Sequence, residues 1–322
     1  MKHSPYFSIV IPLYNKAPHV ERSVGSVLNQ TCCDFELIVV NDASTDTSVK
    51  EVKKFNDPRI RLLHRDKPGP GGYAARNLGI EEAKGVWIAF LDADDEWYPN
   101  HLEKVYELSV SFPDTYFTGC GWHTKDGRMK KRNTFSIKHK SSHTLDITVS
   151  DYLKYCLKNQ RPVYTSVACI KKSSPVSINL FPAELGVGRG GDLHAWLKIM
   201  CYHRNMAWID HVGAVYHSDS INMVTKNAPC STVLMSKMIY HRLSQDLCKE
   251  EKVLLKKYLN FLLKRSWLSS VYNEGIVDLR NNLFWNQVFF NAFEYYLFSF
   301  IPRSAIPSLS KIKKFGRKML GQ

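Results

Sequence analysis

The sequence of 322 residues lacks the long apolar runs and spaced cysteines that mark membrane-spanning or disulfide-bonded proteins. No uncharged apolar stretch reaches 18 residues, and Pro12 soon interrupts the apolar run that starts at Phe7, so no signal peptide is expected. The eight cysteines are scattered without a C-x-x-C pair, which argues against zinc and predicts reduced thiols. These absences predict a protein of the cytoplasmic side.

Acidic residues are also scarce, because 30 Asp and Glu stand against 44 Lys and Arg, a net charge of +14. The imbalance is concentrated in residues 226–322, which contain sixteen basic and six acidic side chains, a balance of +10. We expect an acidic surface to be a partner of that end. With 44% apolar residues, the chain can nevertheless bury a large core.

Strand-like and helix-like segments alternate in the first part of the chain, which favours a parallel α/β sheet with helices on both faces. Predicted strands are residues 7–13, 35–40, 60–64 and 86–91, and predicted helices are residues 18–29, 47–55 and 73–83. Ligands of such sheets bind at the carboxyl ends of the strands. Residues 12–15, 41–46 and 92–95 are predicted to converge there.

An acidic run follows the fourth predicted strand. Asp92 and Asp94 are two residues apart, and side chains at i and i+2 of an extended chain lie on the same side. Two like charges held this close favour a shared cation, and carboxylate oxygens suit Mg²⁺ or Mn²⁺ together with phosphate oxygens. The alternative is that Asp94 or Asp95 caps a helix beginning at Glu96.

The second half is less regular. Residues 125–142 are basic and polar and are predicted to form an exposed, mobile loop. Residues 186–191 are predicted to form a second flexible loop, followed by an amphipathic helix over residues 192–201. Because the pattern is helical after Ser220, we predict a first domain of residues 1–220 and a basic helical region of residues 221–322.

A glycine-rich segment offers another interpretation of the first domain. Residues 69–74 match the G-x-G-x-x-A fingerprint of Rossmann dinucleotide sites, between a strand and a helix. That fingerprint belongs to the first strand–helix turn, which here is residues 12–15, and a ribose needs only one acid. Both observations weigh against a dinucleotide site.

Four ordered segments together resemble the family 2 glycosyltransferases, which have the GT-A fold. They are residues 8–15 (SIVIPLYN), 37–46 (LIVVNDASTD), 75–80 (ARNLGI) and 85–95 (GVWIAFLDADD). The resemblance extends over roughly residues 5–219. It implies an α/β fold of GT-A type, a Rossmann-like mixed sheet flanked by helices, with residues 1–220 as catalytic domain and residues 221–322 as helical C-terminal extension.

The resemblance implies roles for the residues at the strand ends. Pro12, Tyr14 and Asn15 would line the pocket of a nucleotide-diphospho-sugar donor, expected to be a UDP-sugar. Asp42 would accept a hydrogen bond from the base, although relatives often have Asp-Asp where this chain has Asn-Asp. Arg76 would lie near the acidic pair or the diphosphate.

The same resemblance implies a metal site. Asp92 would contact the ribose or the ligand shell of the metal, and Asp94 would bind the divalent metal, Mn²⁺ or Mg²⁺, directly. His217 resembles a late histidine of the family that approaches the metal or the diphosphate. A structural role is the alternative for this histidine.

Sugar transfer also needs a base for the acceptor hydroxyl. Asp192, followed by Trp196 and Leu197, resembles the second member of the family's acidic pair, and Gly191 stands where relatives usually have Glu. Asp192 would be the catalytic base of a direct displacement that inverts the anomeric centre. The alternative is that Asp192 is an ordinary helix N-cap.

The C-terminal region suggests a membrane partner. Residues 283–301 are rich in aromatic side chains but contain Asn, Gln and Glu294, so we expect an amphipathic segment at a membrane interface rather than a spanning helix. The basic residues of 311–318 would be attracted by anionic lipid head groups. The alternative is a helical subdomain packed on the catalytic domain, with a solvated tail.

The expected function is that of a metal-dependent glycosyltransferase of the hexosyltransferase type. Its acceptor would be a glycan or a lipid-linked glycan of a bacterial surface polysaccharide, such as lipopolysaccharide or capsule. The expected location is cytoplasmic, peripheral on the inner face of the membrane. The alternative is a non-catalytic basic module that binds membrane or nucleic acid; no recognised nucleic-acid-binding motif is present, so no nucleic-acid partner is expected.

Overall fold

The computed structural model describes residues 4–221, 232–270 and 278–300. The chain divides into two compact units, Met1–Lys226 and Asn227–Gln322. The domain boundary predicted at residue 220 lies a few residues before this division and stays a prediction.

The first unit contains the strands and most of the helices. Its strands are β1 (Phe7–Leu13), β2 (Phe35–Asn41), β3 (Ile60–His64), β4 (Trp87–Phe90), β5 (Glu96–Trp97), β6 (Phe117–Asp126), β7 (Met129–Arg132), β8 (Thr144–Thr148), β9 (Cys169–Lys171) and β10 (Asn205–His217). Its helices are α1 (Ala17–Leu28), α2 (Ser48–Val52), α3 (Tyr73–Glu82), α4 (His101–Ser111), α5 (Thr134–Lys138), α6 (Val149–Leu157) and α7 (Gly191–His203). The strands and helices predicted before residue 92 are confirmed, with ends that differ by three residues at most.

In the described residues, the strands form one ten-stranded sheet in the order β3-β2-β1-β4-β9-β6-β10-β5, with β7 paired to β6 and β8 to β10. β1 is parallel to β2 and β4, and β2 is parallel to β3. β9 is antiparallel to both β4 and β6, whereas β6 and β10 are parallel. The predicted mixed sheet with flanking helices is therefore confirmed.

The parallel half of the sheet forms the core beneath the site. β1 and β2 are rich in Val, Ile and Phe and are buried along almost their whole length, as in a sheet covered on both faces. Backbone hydrogen bonds from Asp42 N to Leu13 O (2.8 Å) and from Leu91 N to Val10 O (3.2 Å) continue the pairing to the strand ends. The segments that follow β1, β2 and β4 consequently begin at one edge of the sheet.

Glu36 joins the opposite ends of these strands. One carboxylate oxygen accepts hydrogen bonds from Ser8 Oγ and Lys84 N, both at 2.6 Å. The other oxygen forms an ion pair with Arg61 at 2.8 Å. This buried carboxylate therefore connects β1, β2, β3 and the segment that leads into β4.

The prediction of a loop over residues 125–142 is wrong. β6 and β7 form an antiparallel hairpin whose turn contains Gly127 at a φ of 55°, and α5 follows. Phe135 of α5 is fully buried, and its ring lies 5.1 Å from that of Trp208. Lys130 and Lys131, two of the three exposed side chains of β7, are basic, which gives the hairpin the composition of a loop.

The alternative interpretation of the acidic run, a helix that begins at Glu96, is wrong. Glu96 and Trp97 constitute β5, which is antiparallel to β10, and α4 begins only at His101. Trp97 is buried, and its Nε1 donates to Ser166 O at 2.6 Å. Pairing and burial therefore outweigh the local capping signal, and the acidic run leads into a strand.

The second unit is helical in its described part, as predicted, with α8 (Lys237–Leu243), α9 (Lys249–Ser270), α10 (Leu279–Asn282) and α11 (Phe289–Phe298). Asn260 of α9 is fully buried, donates to Phe284 O at 2.9 Å and accepts from Phe284 N at 2.8 Å. Among the described residues, no helix has the length and apolarity needed to cross a membrane. The predicted basic tail of residues 311–318 lies outside the described residues.

The close packing of α3 against β1 can be tested by a substitution at Gly79. A Cβ added there would lie 2.4 Å from Val10 Cγ1. We expect Gly79→Ala to lower the free energy of unfolding by about 1–3 kcal/mol through overpacking. Gly25→Ala in α1 is the matched control, because no heavy atom lies within 4 Å of its added Cβ. There alanine should stabilise the helix by about 0.5–1 kcal/mol. Urea unfolding measures both changes, and equal effects would contradict the packing.

The contribution of the buried Glu36 carboxylate can be tested by the pH dependence of the stability of Glu36→Gln. Burial alone would raise the pKa of Glu36, but hydrogen bonds from Ser8, Arg61 and Lys84 hold this pKa below its ordinary value of 4.5. A lowered pKa stabilises the fold above the unfolded value, and the contribution is lost as the pH falls through the folded value.

We therefore expect Glu36→Gln to cost about 1–3 kcal/mol of unfolding free energy at neutral pH and clearly less at acid pH. Glu82→Gln removes the more exposed acid that pairs with the same Arg61 and should cost below about 1 kcal/mol. Urea unfolding of each variant beside the parent, at both pH values, measures the differences. A pH-independent loss in Glu36→Gln would refute the electrostatic explanation.

Candidate active site

A cavity of about 470 Å³ lies at the carboxyl ends of β1, β2 and β4. Seven of the residues singled out in the sequence line it together: Pro12, Tyr14, Asp42, Arg76, Asp92, Asp94 and Asp192. Parallel strands that end at one edge bring five of them together, whereas Arg76 comes from α3 and Asp192 from the start of α7. The geometry assembles these residues, and their individual roles stay predictions.

Arg76 and Asp92 form an ion pair at the base of the cavity. Arg76 is buried and also donates to Gly71 O at 2.8 Å, so α3 holds its guanidinium rigidly. Burial raises the pKa of Asp92, the Arg76 charge opposes that rise, and the neighbouring carboxylates Asp94 and Asp192 add to it. Both charged groups of this ion pair therefore line the cavity.

Asp94 lies among cations that the sequence analysis did not identify. Lys16 Nζ is 2.6 Å from Asp94 Oδ2 and donates a second hydrogen bond, also 2.6 Å long, to Ile221 O. Arg22 donates to the backbone carbonyl of Asp94. Lys16 directly follows the 8–15 segment, and its charge beside a strand end was the signal that could have identified it.

Asp42 is buried at the end of β2 and holds the loop that follows β3. Its carboxylate forms an ion pair with Arg65 and accepts a hydrogen bond from Gly69 N at 3.1 Å. These contacts fix the glycine-rich segment that covers one side of the cavity. That segment follows β3 and not β1, which agrees with the argument against a dinucleotide fingerprint.

Asp192 is the second residue of α7, and the N-cap of that helix is Gly190. The alternative of an ordinary N-cap is therefore wrong for Asp192. Its carboxylate lines the cavity within the electrostatic influence of Arg76 and Asp92.

Tyr73 positions the start of α7. Its hydroxyl accepts a hydrogen bond from Gly191 N at 2.8 Å. A Cβ at Gly191 would lie 2.5 Å from the Tyr73 ring, and one at Gly71, whose φ is 67°, would lie equally close to the same ring. The ring thus occupies the space beside both glycines, which explains why residue 191 carries no side chain here.

Asn15 and His217 do not line the cavity. Asn15 has a φ of 50°, and its side-chain oxygen accepts from Thr45 N at 2.8 Å, which ties the loop after β1 to the loop after β2. His217 is buried, and its Nε2 lies 3.1 Å from Glu96 Oε1. The direct roles predicted for these two residues stay predictions.

Asp95 belongs to the scaffold and not to the cavity wall. It is fully buried and accepts hydrogen bonds from Ser166 Oγ (2.6 Å), Tyr164 Oη (3.1 Å) and His217 N (3.1 Å). Burial, reinforced by the charges of Asp92 and Asp94, raises the pKa of Asp95 well above its ordinary value. The carboxyl group thereby joins the end of β4 to β10.

The described residues offer few side-chain ligands for a metal ion. No group of three or more His, Cys, Asp or Glu side chains there is placed to hold an ion. Mg²⁺ commonly takes only one or two carboxylates and completes its shell with phosphate oxygens and water. Asp92 and Asp94, side by side on the cavity wall, fit that pattern and require a phosphate-bearing ligand to complete it.

The comparisons with known proteins agree with this arrangement. The model of glycosyl transferase family 2 matches residues 8–162, which run from the second residue of β1 to beyond β8 and include most of the cavity wall. Over this segment, slightly less than half of the chain, the protein is similar to family 2 of the glycosyltransferases.

The fold has a counterpart among solved structures. The chain is similar to TarS 1–349 of S. aureus, crystallised in complex with UDP-GlcNAc, with a TM-score of 0.70 and 15% identity. The similarity covers 95% of this chain and 91% of that one. The fold is thus of the GT-A type, with a helical C-terminal region, as the resemblance implied.

Two curated relatives are similar over shorter stretches. UDP-Glc:alpha-D-GlcNAc-diphosphoundecaprenol beta-1,3-glucosyltransferase WfgD of Escherichia coli is 43% identical over 103 residues, 32% of this chain and 40% of that protein. Chondroitin synthase of Pasteurella multocida is 42% identical over 101 residues, 31% of this chain and 10% of that protein. The chain therefore spans less than half the length of these relatives.

The contact of Tyr73 with Gly191 makes a testable prediction. Gly191→Ala should lower the free energy of unfolding by about 1–3 kcal/mol, because the methyl group would overlap the ring. Gly188→Ala in the same loop is the control, since nothing lies within 4 Å of its added Cβ. Thermal unfolding measures both, and Tyr73→Ala should remove most of the Gly191→Ala penalty in a double-mutant cycle. Additive effects would contradict the contact.

Proposed function

We propose that the chain is a glycosyltransferase that moves a sugar from a nucleotide-diphosphate donor, a UDP-sugar, to an acceptor hydroxyl. The observation that carries the proposal is the convergence of Arg76, Asp92, Asp94 and Asp192 on one cavity at the strand ends. The match of residues 8–162 to the model of glycosyl transferase family 2 supports the reaction class. The UDP-GlcNAc bound to TarS and the UDP-Glc in the name of WfgD support uridine as the base.

The cavity wall suits a diphosphate. Lys16, Arg76 and Arg189 supply basic side chains to it, and these would offset the charge of the phosphates. Pro12, Tyr14 and Asp42 would surround the nucleoside, with Asp42 accepting from the base and Asn15 holding the adjacent loops in place.

Asp94, with Asp92 beside it, would hold Mn²⁺ or Mg²⁺ in this site. Such a cation supplies Lewis-acid stabilisation of the negative charge that collects on the departing diphosphate. Lys16 pairs with the same Asp94 carboxylate and also lines the cavity, so its charge would lie near the phosphates as well.

Asp192 would act as the general base. Its carboxylate would take the proton of the acceptor hydroxyl as the acceptor oxygen bonds to the anomeric carbon and the bond to the diphosphate breaks. Because the acceptor attacks directly, one displacement inverts the anomeric centre. Tyr73 would position Asp192 through its hydrogen bond to Gly191 N.

The acceptor is proposed to be a glycan or a lipid-linked glycan of a bacterial surface polysaccharide, lipopolysaccharide or capsule, made on the cytoplasmic side. Support comes from the names of the relatives, one of which acts on a diphosphoundecaprenol-linked sugar. A non-catalytic basic module is the competing function, and nucleotide binding separates the two.

Nucleotide binding tests the donor site directly. We expect UDP to bind more tightly with Mn²⁺ than without it, and Asp94→Asn to abolish that gain, a loss of about tenfold or more in affinity. Asp114→Asn, which removes an exposed carboxylate outside the cavity, should bind like the parent. Isothermal titration calorimetry provides the measurement. If the parent binds no nucleoside diphosphate, the non-catalytic module is favoured.

The base is tested by separating binding from turnover. Asp192→Asn should retain UDP affinity within about twofold but lower kcat by about 10²–10⁴, because only proton transfer is lost. Turnover is followed as UDP release from a panel of UDP-sugars, with and without candidate acceptors. Equal loss of binding and turnover would assign Asp192 to donor binding instead.

A further inference from the structure

Helix α11 and the two residues after it carry an exposed apolar stripe, which we define as Phe289, Phe290, Phe293, Leu297 and Phe300. All five side chains are exposed, and Phe290 is 87% exposed. Their spacing places them within an arc of roughly 100° on a helix. The rings of Phe289 and Phe293 stack at 5.7 Å, so the stripe is continuous and not a set of isolated side chains.

The stripe is not the face by which α11 packs in its own unit. Val288, Ala292 and Tyr295 lie on the other side of the helix and are buried. Asn291 is held there by Asn260 of α9 at 3.2 Å. The helix therefore already has a buried face, and the stripe is a second apolar face directed outward.

One basic side chain contacts the stripe, and a second contacts residues of α11 outside it. The Arg280 guanidinium lies 4.0 Å from the centre of the Phe300 ring. Lys264 Nζ lies 4.3 Å from the centre of the Phe298 ring and 3.6 Å from Glu294, so the acid on this helix is paired. In sequence, residues 301–322 follow the stripe at once and contain six Lys and Arg but no Asp or Glu.

We propose that the stripe inserts into the interfacial layer of an anionic lipid bilayer, with α11 lying along the membrane surface. Five large apolar side chains on one helix face form a patch of the kind that marks an interaction surface. Aromatic side chains favour the interfacial layer, and bordering cations favour anionic head groups. A helix of ten residues is too short to span the bilayer, so it lies on it.

The basic charge of the C-terminal region favours an anionic membrane over a second copy of the chain as the partner of the stripe. A second copy of this chain would bring another unit with the same excess of basic residues, and that repulsion would oppose association. An anionic bilayer instead satisfies the apolar stripe and the basic border together, and such paired signals are what stable peripheral binding requires. The inference does not depend on the transfer reaction, but a lipid-linked acceptor would be reached from this position.

The full chain is tested by co-sedimentation with vesicles of phosphatidylglycerol and phosphatidylcholine, and of phosphatidylcholine alone. We expect binding to the anionic vesicles and release at high salt, since screening weakens the basic contribution. Phe290→Ser with Phe293→Ser should lower the partition coefficient by about one to two orders of magnitude. Ile178→Ser is the matched control, because Ile178 is 73% exposed in the first unit and lies outside the cavity.

The outcomes are distinct. Loss of vesicle binding in the double variant alone, with UDP affinity unchanged in calorimetry, supports the proposal even if no transfer is ever detected. Equal binding of parent and double variant overturns it, as does equal binding to neutral and anionic vesicles. Light scattering that shows a parent dimer, dissociated by the double variant without any vesicle binding, would assign the stripe to a second copy instead.

Discussion

The concentration of negative charge after β4 is the constraint on which the site depends. Asp92, Asp94 and Asp95 lie within four consecutive positions, and two of them are paired with cations while the third is held by hydrogen bonds. Arg76 pairs with Asp92, and Lys16 pairs with Asp94. Asp95 accepts hydrogen bonds from Ser166, Tyr164 and His217, and burial together with the charges of Asp92 and Asp94 raises its pKa. Two of the three carboxylates are thereby kept for the cavity, while the third becomes part of the scaffold that connects β4 to β10.

Much of the first unit could be predicted because its signals are local. Runs of Val, Ile and Phe specify buried parallel strands whatever surrounds them, and the polar residues that follow each run must then meet at one edge. This reasoning predicts from the sequence that Asp42, Asp92 and Asp94 lie close together. The resemblance to a family added Arg76 and Asp192, which lie on helices and carry no comparable local signal.

The errors have a common cause in tertiary contacts. Glu96 and Trp97 follow a capping signal, yet they pair with β10, more than a hundred residues later. Residues 125–142 have the composition of a loop because the hairpin is exposed, while the burial of Phe135 depends on a partner in a distant strand. Lys16 and Tyr73 were missed for the same reason, since the atoms they contact are remote in sequence. Local patterns predict elements well, but they do not predict which charges and rings those elements bring together.

The Tyr73 ring fills the space beside two glycines that are 120 positions apart, Gly71 and Gly191. A substitution at any of these three positions therefore depends on the size of the side chains at the other two. A variant that acquires an acid at position 191 must first, or at the same time, replace the ring at position 73 with a smaller side chain. Among natural variants of this chain, the residues at 73 and 191 should consequently covary in size, and the order of mutations that leads from one pairing to the other is restricted.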